Sequence, residues 1–390
     1  MISIDSSALT NKRLVVVIGA IGPYHAARLS ALNDRATQIG VELIVVQRAG
    51  LIAEYPWFGQ ENNLGFEVVN AYSERDPSPN DLKSAIQLVR TVRKLRPDTV
   101  AVGLSHRPYL GVVAWSLAAN HRLVLLTETK ADDARRNLVS EWLKKRVYRR
   151  FSAALVGGPP HADYAASLGI ARDCCFYGYD VVDNLHFSRL AVSARENADS
   201  LRAKYQLPTD YFVAAKRFIP KKNILPLLRA YSMYREEVGL KAWSLVLMGD
   251  GPQREEIRQE CQHLSIDGSV KMPGLVVYGD LPTYYGLGRA LIHASLVEPW
   301  GLVINEAMAS GLPILIAKNC GAASLLLQEG VNGIGFDPSS VEQMKSAMVA
   351  FHRLSDAARC DMGGQSARIV SQWGTERFAE GMLQAMHASL

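Results

Sequence analysis

The feature of this sequence that most limits its fold is an alternation of short apolar runs with longer segments of helical periodicity. In the first half, apolar runs at 13–20, 41–48, 99–104, 123–127 and 153–156 are separated by helical patterns at 24–39, 81–95, 109–120 and 137–151. Strands that alternate with helices predict a parallel, doubly wound sheet, because each crossover helix covers one face of the sheet.

The same alternation begins again near Tyr211. Strand candidates lie at 212–216, 244–248, 290–297 and 314–317, and helix candidates lie at 224–238, 253–263, 302–309 and 322–328. A length of 390 residues suits two domains, each with its own core. We therefore predict an α/β chain of two Rossmann-like doubly wound domains facing a cleft, with boundaries at 1–190 and 191–370 and a terminal amphipathic helix within 371–390.

Composition excludes several classes of protein. The net charge of +5 is too small for a dedicated nucleic-acid binder, and no apolar run reaches the length of a membrane span. The five cysteines form no Cys-x-x-Cys pair, and the first seven residues lack the pattern of a signal peptide. These features predict a cytoplasmic protein without structural zinc.

The segment from Glu298 to Pro313 contains the strongest functional signal. It places two glutamates, Glu298 and Glu306, on either side of a glycine turn and a helix start at Gly301 and Leu302. A helix N-terminus binds phosphate, and flanking carboxylates accept hydrogen bonds from sugar hydroxyls. Spacing alone means little among 38 acidic residues, and Glu298 as a solvated loop acid is the alternative. The strand, turn and helix together favour a nucleotide-sugar site.

This segment resembles the donor-site motif of the retaining glycosyltransferases of family 4, which have the GT-B fold. The resemblance covers nearly the whole chain and is strongest from Phe212 to Gly333. It implies that the terminal helix crosses back to the N-terminal domain. It also implies that Glu298 positions the sugar ring and that Glu306 binds the nucleotide ribose.

The resemblance extends to a basic loop after the strand candidate 212–216. Arg217 and Lys222 match the arginine and lysine that hold the donor diphosphate, although Lys221 is an alternative to Lys222. The catalytic residues implied are therefore Arg217, Lys222 and Glu298. The donor-binding residues implied are Gly249, Gly251, Val277, Trp300, Gly301, Leu302, Val303 and Glu306.

The first domain is expected to bind the acceptor. Its first strand leads into Gly19-Ala-Ile-Gly-Pro-Tyr-His, which is not a Gly-x-Gly-x-x-Gly fingerprint and disfavours a nicotinamide site. Side chains at the carboxyl ends of parallel strands face the ligand in such sheets. The acceptor candidates are Gly22, Tyr24, His25, Arg28, His106 and Glu128, with simple capping and packing roles as the alternative.

The predicted activity is transfer of a hexose-type sugar, with retention of configuration, from a nucleotide-diphosphate-sugar to a hydroxyl acceptor. A UDP-sugar is favoured over a GDP-sugar, and neither a metal nor a cofactor is expected. The acceptor is a glycan, a lipid-linked glycan or a small molecule. Alternatives are a sugar-nucleotide epimerase, a phosphorylase, a dehydrogenase and a non-catalytic subunit that binds a nucleotide-sugar.

A basic segment at 142–151 has two interpretations. It places five cations among apolar residues, with Leu143, Val147 and Phe151 on one helical face. A surface helix that packs this face on the core is favoured. The alternative is peripheral contact with anionic lipid headgroups at the inner membrane face.

Overall fold

The computed structural model describes residues 6–48, 64–72, 82–134 and 136–389. Packing divides the chain into two units, Met1–Asp183 with Gly374–Leu390, and Asn184–Trp373. The first division lies seven residues before the boundary expected at 190/191, and the second lies three residues after the one expected at 370/371.

The first unit contains a parallel sheet between helices. Within the described residues its strands follow the order β3-β2-β1-β4-β5-β6-β7, and every adjacent pair is parallel. The elements are α1 (Ser6–Leu9), β1 (Arg13–Ile18), α2 (Pro23–Gln38), β2 (Glu42–Gln47), β3 (Glu67–Asn70), α3 (Leu82–Lys94), β4 (Thr99–Val102), α4 (Arg107–Ala118), β5 (Arg122–Thr127), α5 (Leu138–Tyr148), β6 (Ala153–Val156), α6 (Pro159–Ser167) and β7 (Cys175–Tyr177).

The second unit repeats this architecture. Its strands follow the order β10-β9-β8-β11-β12-β13, again with parallel pairing. The elements are α7 (Asn184–Glu196), α8 (Ala198–Tyr205), β8 (Tyr211–Ala215), α9 (Ile224–Val238), β9 (Ser244–Met248), α10 (Arg254–His263), β10 (Val270–Gly274), α11 (Leu281–Gly286), β11 (Ala290–His293), α12 (Leu302–Ala309), β12 (Ile314–Ala317), α13 (Ala323–Leu326), β13 (Gly333–Phe336), α14 (Val341–His352) and α15 (Asp356–Val370).

The central strands explain the apolar runs in the sequence. Every residue of β4, β6, β11 and β12 is buried, as are five of the six in β1. Helices cover both faces of such a sheet, so a strand in its middle is apolar without alternation. The two doubly wound sheets confirm the predicted fold class.

The last helix, α16 (Thr375–Ala388), belongs to the first unit, as predicted. It packs on α2 and against β6 and β7. Gly381 permits the close approach, because a Cβ there would lie 2.3 Å from the carbonyl oxygen of Tyr177. The buried side chains of α16 include Phe378, Met382 and Met386, the predicted apolar face.

Three local expectations differ from the structure. The strand predicted over 290–297 ends at His293, so residues 294–297 begin a loop. The helix predicted at 81–95 is observed as Leu82–Lys94, and Asp81 lies outside the described residues. Residues 1–5 of the N-terminal segment also lie outside the described residues. The apolar face expected in the basic segment is incomplete, because Phe151 is buried and Val147 packs on the core but Leu143 is exposed.

Candidate functional site

The loop between β11 and α12 brings Glu298 to the start of the helix. Gly301 caps α12 with φ of 102°, a left-handed conformation that favours glycine. A Cβ at Gly301 would lie 3.3 Å from Cγ of Glu298 and 3.2 Å from Cδ1 of Ile304. The glycine therefore allows the helix to begin directly beside the Glu298 side chain.

Glu298 is buried and contacts three polar side chains through one carboxylate oxygen. Oε2 accepts from the Ser295 hydroxyl at 3.1 Å and lies 2.9 Å from Nε2 of His293. The ammonium of Lys222 forms an ion pair with the same oxygen. Lys222 comes from the loop after β8, 76 residues earlier in the chain. The structure thus joins two of the three predicted catalytic residues, while neighbouring Lys221 is exposed.

These contacts determine the charge of Glu298. Burial by itself would raise the pKa of this carboxyl, but hydrogen bonding and charge from His293 and Lys222 outweigh burial and hold it below its usual value. Burial, with the nearby charge of Lys216, lowers the pKa of His293 to about 4. The imidazole is therefore neutral at pH 7, and Lys222 is the cation that balances the ionised carboxylate.

The basic loop itself is built between β8 and α9. It forms a short 3-10 turn at Pro220–Lys222 and ends at Asn223, whose φ of 59° is left-handed. Arg217 is exposed and forms no ion pair with any described residue. It is therefore available to a ligand, whereas Lys222 is already paired.

Lys216 adds a cation that the resemblance did not assign. It is 7% exposed, and its Nζ lies 3.4 Å from the carbonyl oxygen of Lys222. No carboxylate among the described residues lies within ion-pair distance of it. Burial and the adjacent charge of Lys222 lower the pKa of Lys216 to about 7. A buried lysine without a counter-ion is favourable where an anion binds.

Gly249 and Gly251 support this basic loop. A Cβ on Gly249 would lie 1.7 Å from the carbonyl oxygen of Lys216, and one on Gly251 would lie 2.7 Å from that of Phe218. Both glycines also have positive φ, 127° and 153°. Packing against the basic loop thus explains why glycine is needed at both positions. Their contact with a donor remains a prediction.

Glu306 lies in the second turn of α12 and is buried. Its Oε2 accepts a hydrogen bond of 2.7 Å from the hydroxyl of Tyr285 in α11. Both side chains are almost fully buried. A role for Glu306 at a ribose remains a prediction, with Tyr285 as the residue that orients the carboxylate.

The remaining donor candidates are of two kinds. Trp300 is fully buried, donates from Nε1 to Asn305 at 2.9 Å and packs near Trp373, so its side chain belongs to the core. Leu302 and Val303 are partly exposed in the first turn of α12, and Val277 is 55% exposed. These three are placed where a ligand can contact them.

The acceptor candidates of the first unit lie at the carboxyl ends of β1, β4 and β5. Gly22 and His106 cap α2 and α4 in extended conformations, and Tyr24 is partly exposed in the first turn of α2. The ring of His106 makes an edge contact with Tyr109 at 5.5 Å. Burial, together with the charge of Arg28, lowers the pKa of His25 to about 3, so this histidine is neutral at pH 7.

Arg28, Glu128 and Asp180 form a polar cluster in which Arg28 and Asp180 are buried and Glu128 is exposed. Arg28 donates from Nε to the carbonyl oxygen of Val181 at 2.9 Å and lies 5.8 Å from the ring centre of Tyr179. Burial and then the charge of Glu128 raise the pKa of Asp180, while Arg28 opposes them. The sequence suggested Arg28 and Glu128 as acceptor candidates but gave no sign that Asp180 lies with them, because no local motif joins the three residues.

Two acidic residues near Glu128 have local partners. Asp132 pairs with Lys130, and Asp133 pairs with Arg136. The described residues contain no group of three or more His, Cys, Asp or Glu side chains placed to hold a metal. Among the described helices, none is both long and apolar enough to cross a membrane.

Comparison with known proteins identifies the donor-side unit. Residues 198–363 match the family model described as "Glycosyl transferases group 1". Over these residues the chain is similar to the group 1 glycosyltransferases. The match confirms, for this segment, the family that the sequence resembles, while retention of configuration remains a prediction.

Curated relatives resemble parts of the chain. An alpha-monoglucosyldiacylglycerol synthase of Streptococcus pneumoniae is 31% identical over 128 residues, which are 32% of this chain and 28% of the relative. A GDP-mannose-dependent alpha-(1-6)-phosphatidylinositol monomannoside mannosyltransferase of Mycobacterium tuberculosis is 30% identical over 191 residues, 46% of this chain and 48% of the relative. The matches therefore span less than half the length of these relatives.

Solved structures resemble the whole chain. HepE of Anabaena, in complex with UDP and glucose, has a TM-score of 0.73 at 16% identity, with 96% of this chain and 99% of HepE covered. TarM has a TM-score of 0.71 at 10% identity over 98% and 99%. Identities this low establish the fold, which is GT-B.

Proposed function

We propose that this protein is a retaining glycosyltransferase that moves a hexose-type sugar from a nucleotide-diphosphate-sugar to a hydroxyl acceptor. The donor site consists of the basic loop after β8, the N-terminus of α12, and the carboxylates Glu298 and Glu306. The reaction uses neither a metal nor a cofactor. The first unit binds the acceptor through its polar side chains at the carboxyl ends of β1, β4 and β5.

The observation that carries this proposal is the buried contact of Glu298 with Lys222, His293 and Ser295 beside the start of α12. An arriving diphosphate competes with Glu298 for the Lys222 ammonium. That competition frees a carboxylate oxygen to accept a hydrogen bond from a sugar hydroxyl. One ion pair thus links the phosphate-binding and sugar-binding parts of the site.

The cations act on the leaving group. As the bond between the anomeric carbon and the diphosphate oxygen breaks, negative charge grows on the diphosphate. Arg217, Lys222 and the free N–H groups of α12 stabilise that charge more in the transition state than in the bound donor. This difference accelerates the reaction, because equal stabilisation of both states would not.

The transfer needs no nucleophile from the protein. The acceptor oxygen attacks the anomeric carbon from the face that the diphosphate leaves, and the sugar gains oxocarbenium character. The acceptor proton passes to the departing diphosphate oxygen. The products are the glycosylated acceptor, with its configuration retained, and a nucleoside diphosphate.

Similar proteins support a nucleotide-sugar donor but differ in its base. HepE was solved with UDP and glucose, whereas the mycobacterial relative is named for GDP-mannose. We propose a UDP-sugar as the donor and a glycan, a lipid-linked glycan or a small molecule as the acceptor class.

The test is a thermal-shift screen of the full chain against UDP, GDP, ADP and dTDP, each with and without common hexoses. A nucleotide at about 100 times its dissociation constant should stabilise the fold by about 2.7 kcal/mol. Release of nucleoside diphosphate from the matching nucleotide-sugar should then rise when an acceptor is added. NMR of the product determines the anomeric configuration.

Other outcomes separate the alternatives. Conversion of the donor to an epimer without any acceptor would identify an epimerase. Nucleotide binding without turnover on any acceptor would identify a non-catalytic subunit. Inversion at the anomeric carbon would refute front-face transfer.

A further inference from the structure

Helix α5 in the first unit exposes a large apolar surface. The exposed fractions of Leu138, Val139, Trp142 and Leu143 are 91%, 68%, 54% and 52%. These positions are one, three and four residues apart, so they lie on one side of the helix. A contiguous patch of large apolar side chains is rarely left exposed on a protein surface. Such a patch therefore indicates an interaction surface.

Cations occupy the same side of the helix. Lys145, Arg146 and Arg149 are exposed and, with the four apolar residues, span an arc of about 160° at about 100° per residue. The guanidinium of Arg146 lies 4.3 Å from the ring centre of Trp142. Within α5, all of which the structure describes, Glu141 is the one carboxylate, and it lies outside this arc. We call these seven residues the outer face of α5.

The opposite side of α5 has its own partners. Glu141 accepts hydrogen bonds from the Tyr164 hydroxyl at 2.8 Å and from Lys144 at 3.0 Å. Tyr148 and Phe151 are buried in the core of the unit. The outer face is therefore not needed to attach the helix to the protein.

We propose that the outer face of α5 docks this protein on a membrane surface that contains anionic lipids. Leu138, Val139, Trp142 and Leu143 insert among the acyl chains near the headgroups. Lys145, Arg146 and Arg149 contact the lipid phosphates. A helix with apolar and cationic residues on one exposed side suits an interface that offers both environments.

The charge of the outer face favours lipid over other occupants. A second copy of the chain, placed by two-fold symmetry, would bring three cations against the same three cations. A nucleic acid would pair with the cations but would leave Leu138 and Val139 without an apolar environment. An anionic bilayer satisfies both parts.

The position of α5 suggests how docking would serve the proposed function. The docking proposal itself does not depend on that function. A crossover helix runs antiparallel to its strands, so the N-terminus of α5 lies at the carboxyl edge of the first sheet. Glu128 and His106 follow strands at that same edge. Docking through Leu138 and Trp142 would bring this edge close to a lipid-linked hydroxyl.

The experiment is flotation of the full chain with vesicles of phosphatidylcholine alone, or of phosphatidylcholine mixed equally with phosphatidylglycerol. Two variants test the outer face, Trp142→Ser with Leu143→Ser, and Lys145→Gln with Arg146→Gln. The control is Leu240→Ser with Lys241→Gln, an exposed apolar and cationic pair in the second unit. Thermal unfolding with and without UDP reports the fold and the donor site separately.

We expect the wild type and the control to float with the anionic vesicles and to be released by high salt. Loss of the two cations should weaken binding about 25-fold, since each contributes about a fivefold factor near an anionic surface. Loss of Trp142 and Leu143 should weaken it more than tenfold on any vesicle that binds. Unchanged thermal unfolding of the variants would exclude misfolding.

Equal flotation with neutral and anionic vesicles, or equal binding by outer-face and control variants, would overturn the proposal. Conversion of a dimer to a monomer by Trp142→Ser with Leu143→Ser would assign the face to a protein interface instead. A missing UDP shift with intact flotation would refute UDP as the donor nucleotide and leave the docking proposal standing.

Discussion

Two buried carboxylates, one in each unit, have opposite electrostatic environments. Glu298 contacts Lys222, His293 and Ser295 through one oxygen, and its pKa is lowered. Asp180 has an Oδ2 atom without a hydrogen-bond partner among the described residues, and its pKa is raised by burial and by Glu128. Burial alone acts in the same direction on both, so the partners decide the difference.

The difference between these two environments indicates which kind of ligand each region can bind. On the donor side, Lys222 balances the negative charge of Glu298. The remaining charge there is positive and is carried by Arg217 and Lys216. In the first unit, buried polar atoms on His25, Arg28 and Asp180 lack partners among the described residues. An anionic donor suits the first situation, and a polar acceptor with both hydrogen-bond donors and acceptors suits the second.

The largest expected effect tests whether Lys222 balances Glu298. Lys222→Met leaves a buried carboxylate without its cation and should lower the free energy of unfolding by about 3–5 kcal/mol at pH 7. Denaturant unfolding measures this. Lys221→Met, which removes the exposed neighbour, should change stability by less than about 0.5 kcal/mol. Equal losses in both variants would show that Glu298 does not depend on Lys222.

This effect should depend on pH in a defined direction. The pKa of Glu298 is lower in the folded protein than in the unfolded chain, so its stabilisation is present above the unfolded value. It is lost as pH falls toward the folded value. The stability difference between wild type and Lys222→Met should therefore shrink below about pH 4.

The next effect concerns turnover rather than stability. Arg217→Ala should reduce kcat about 100- to 1000-fold, because it removes a charge that stabilises the leaving diphosphate. Its exposure means that unfolding should hardly change. Steady-state kinetics with the donor identified by thermal shift measures the loss, with Lys221→Ala as the control. Wild-type turnover in Arg217→Ala would refute its role.

The pH dependence of donor affinity tests the role of Lys216 on the donor side. Its pKa of about 7 should rise when a diphosphate binds, so donor affinity should fall as pH increases through neutrality. We expect a loss of about tenfold between about pH 6 and about pH 9, measured by calorimetry with the nucleotide-sugar. Lys216→Met should bind weakly at all these pH values. If donor affinity of the Lys216→Met variant kept the wild-type dependence on pH, Lys216 would be excluded as the titrating group.

The smallest expected effect has the opposite sign. Asp180→Asn should raise the free energy of unfolding by up to about 1 kcal/mol at pH 7, because it removes a buried charge that lacks a cation partner. A raised folded pKa penalises stability fully above the folded pKa, so the gain should shrink as pH falls from the folded toward the unfolded value and should be absent below the unfolded value. Destabilisation at pH 7 would show that Arg28 balances Asp180 after all.

The fold was predicted wherever strands are central. β6, β9 and β12, together with α9 and α12, have the predicted bounds. The four strands that sequence analysis missed, β3, β7, β10 and β13, are the edges of the two sheets. An edge strand pairs on one side only and tolerates charged, short or glycine-containing sequences, so it has no continuous apolar run.

The candidate site was predicted in part for a similar reason. Arg217, Lys222, Glu298 and Glu306 came from a resemblance to local segments, each beside a strand or a helix start. His293, Ser295 and Tyr285, which contact the two glutamates, did not, because an isolated polar residue within an apolar run gives no signal of its target. The cluster of Arg28, Glu128 and Asp180 was missed because its members are far apart in sequence.

The sequence by itself determined the repeated strand–helix order, the glycine that permits α12 to start beside Glu298, and the resemblance of residues 198–363 to the group 1 glycosyltransferases. These depend on residues close together along the chain, where apolar periodicity and backbone conformation act. The tertiary structure alone decided that Lys222 pairs with Glu298, that Asp180 lacks a cation partner, and that Leu143 turns outward on α5. Such outcomes depend on which distant segments pack together, since burial and charge act through space and not along the chain.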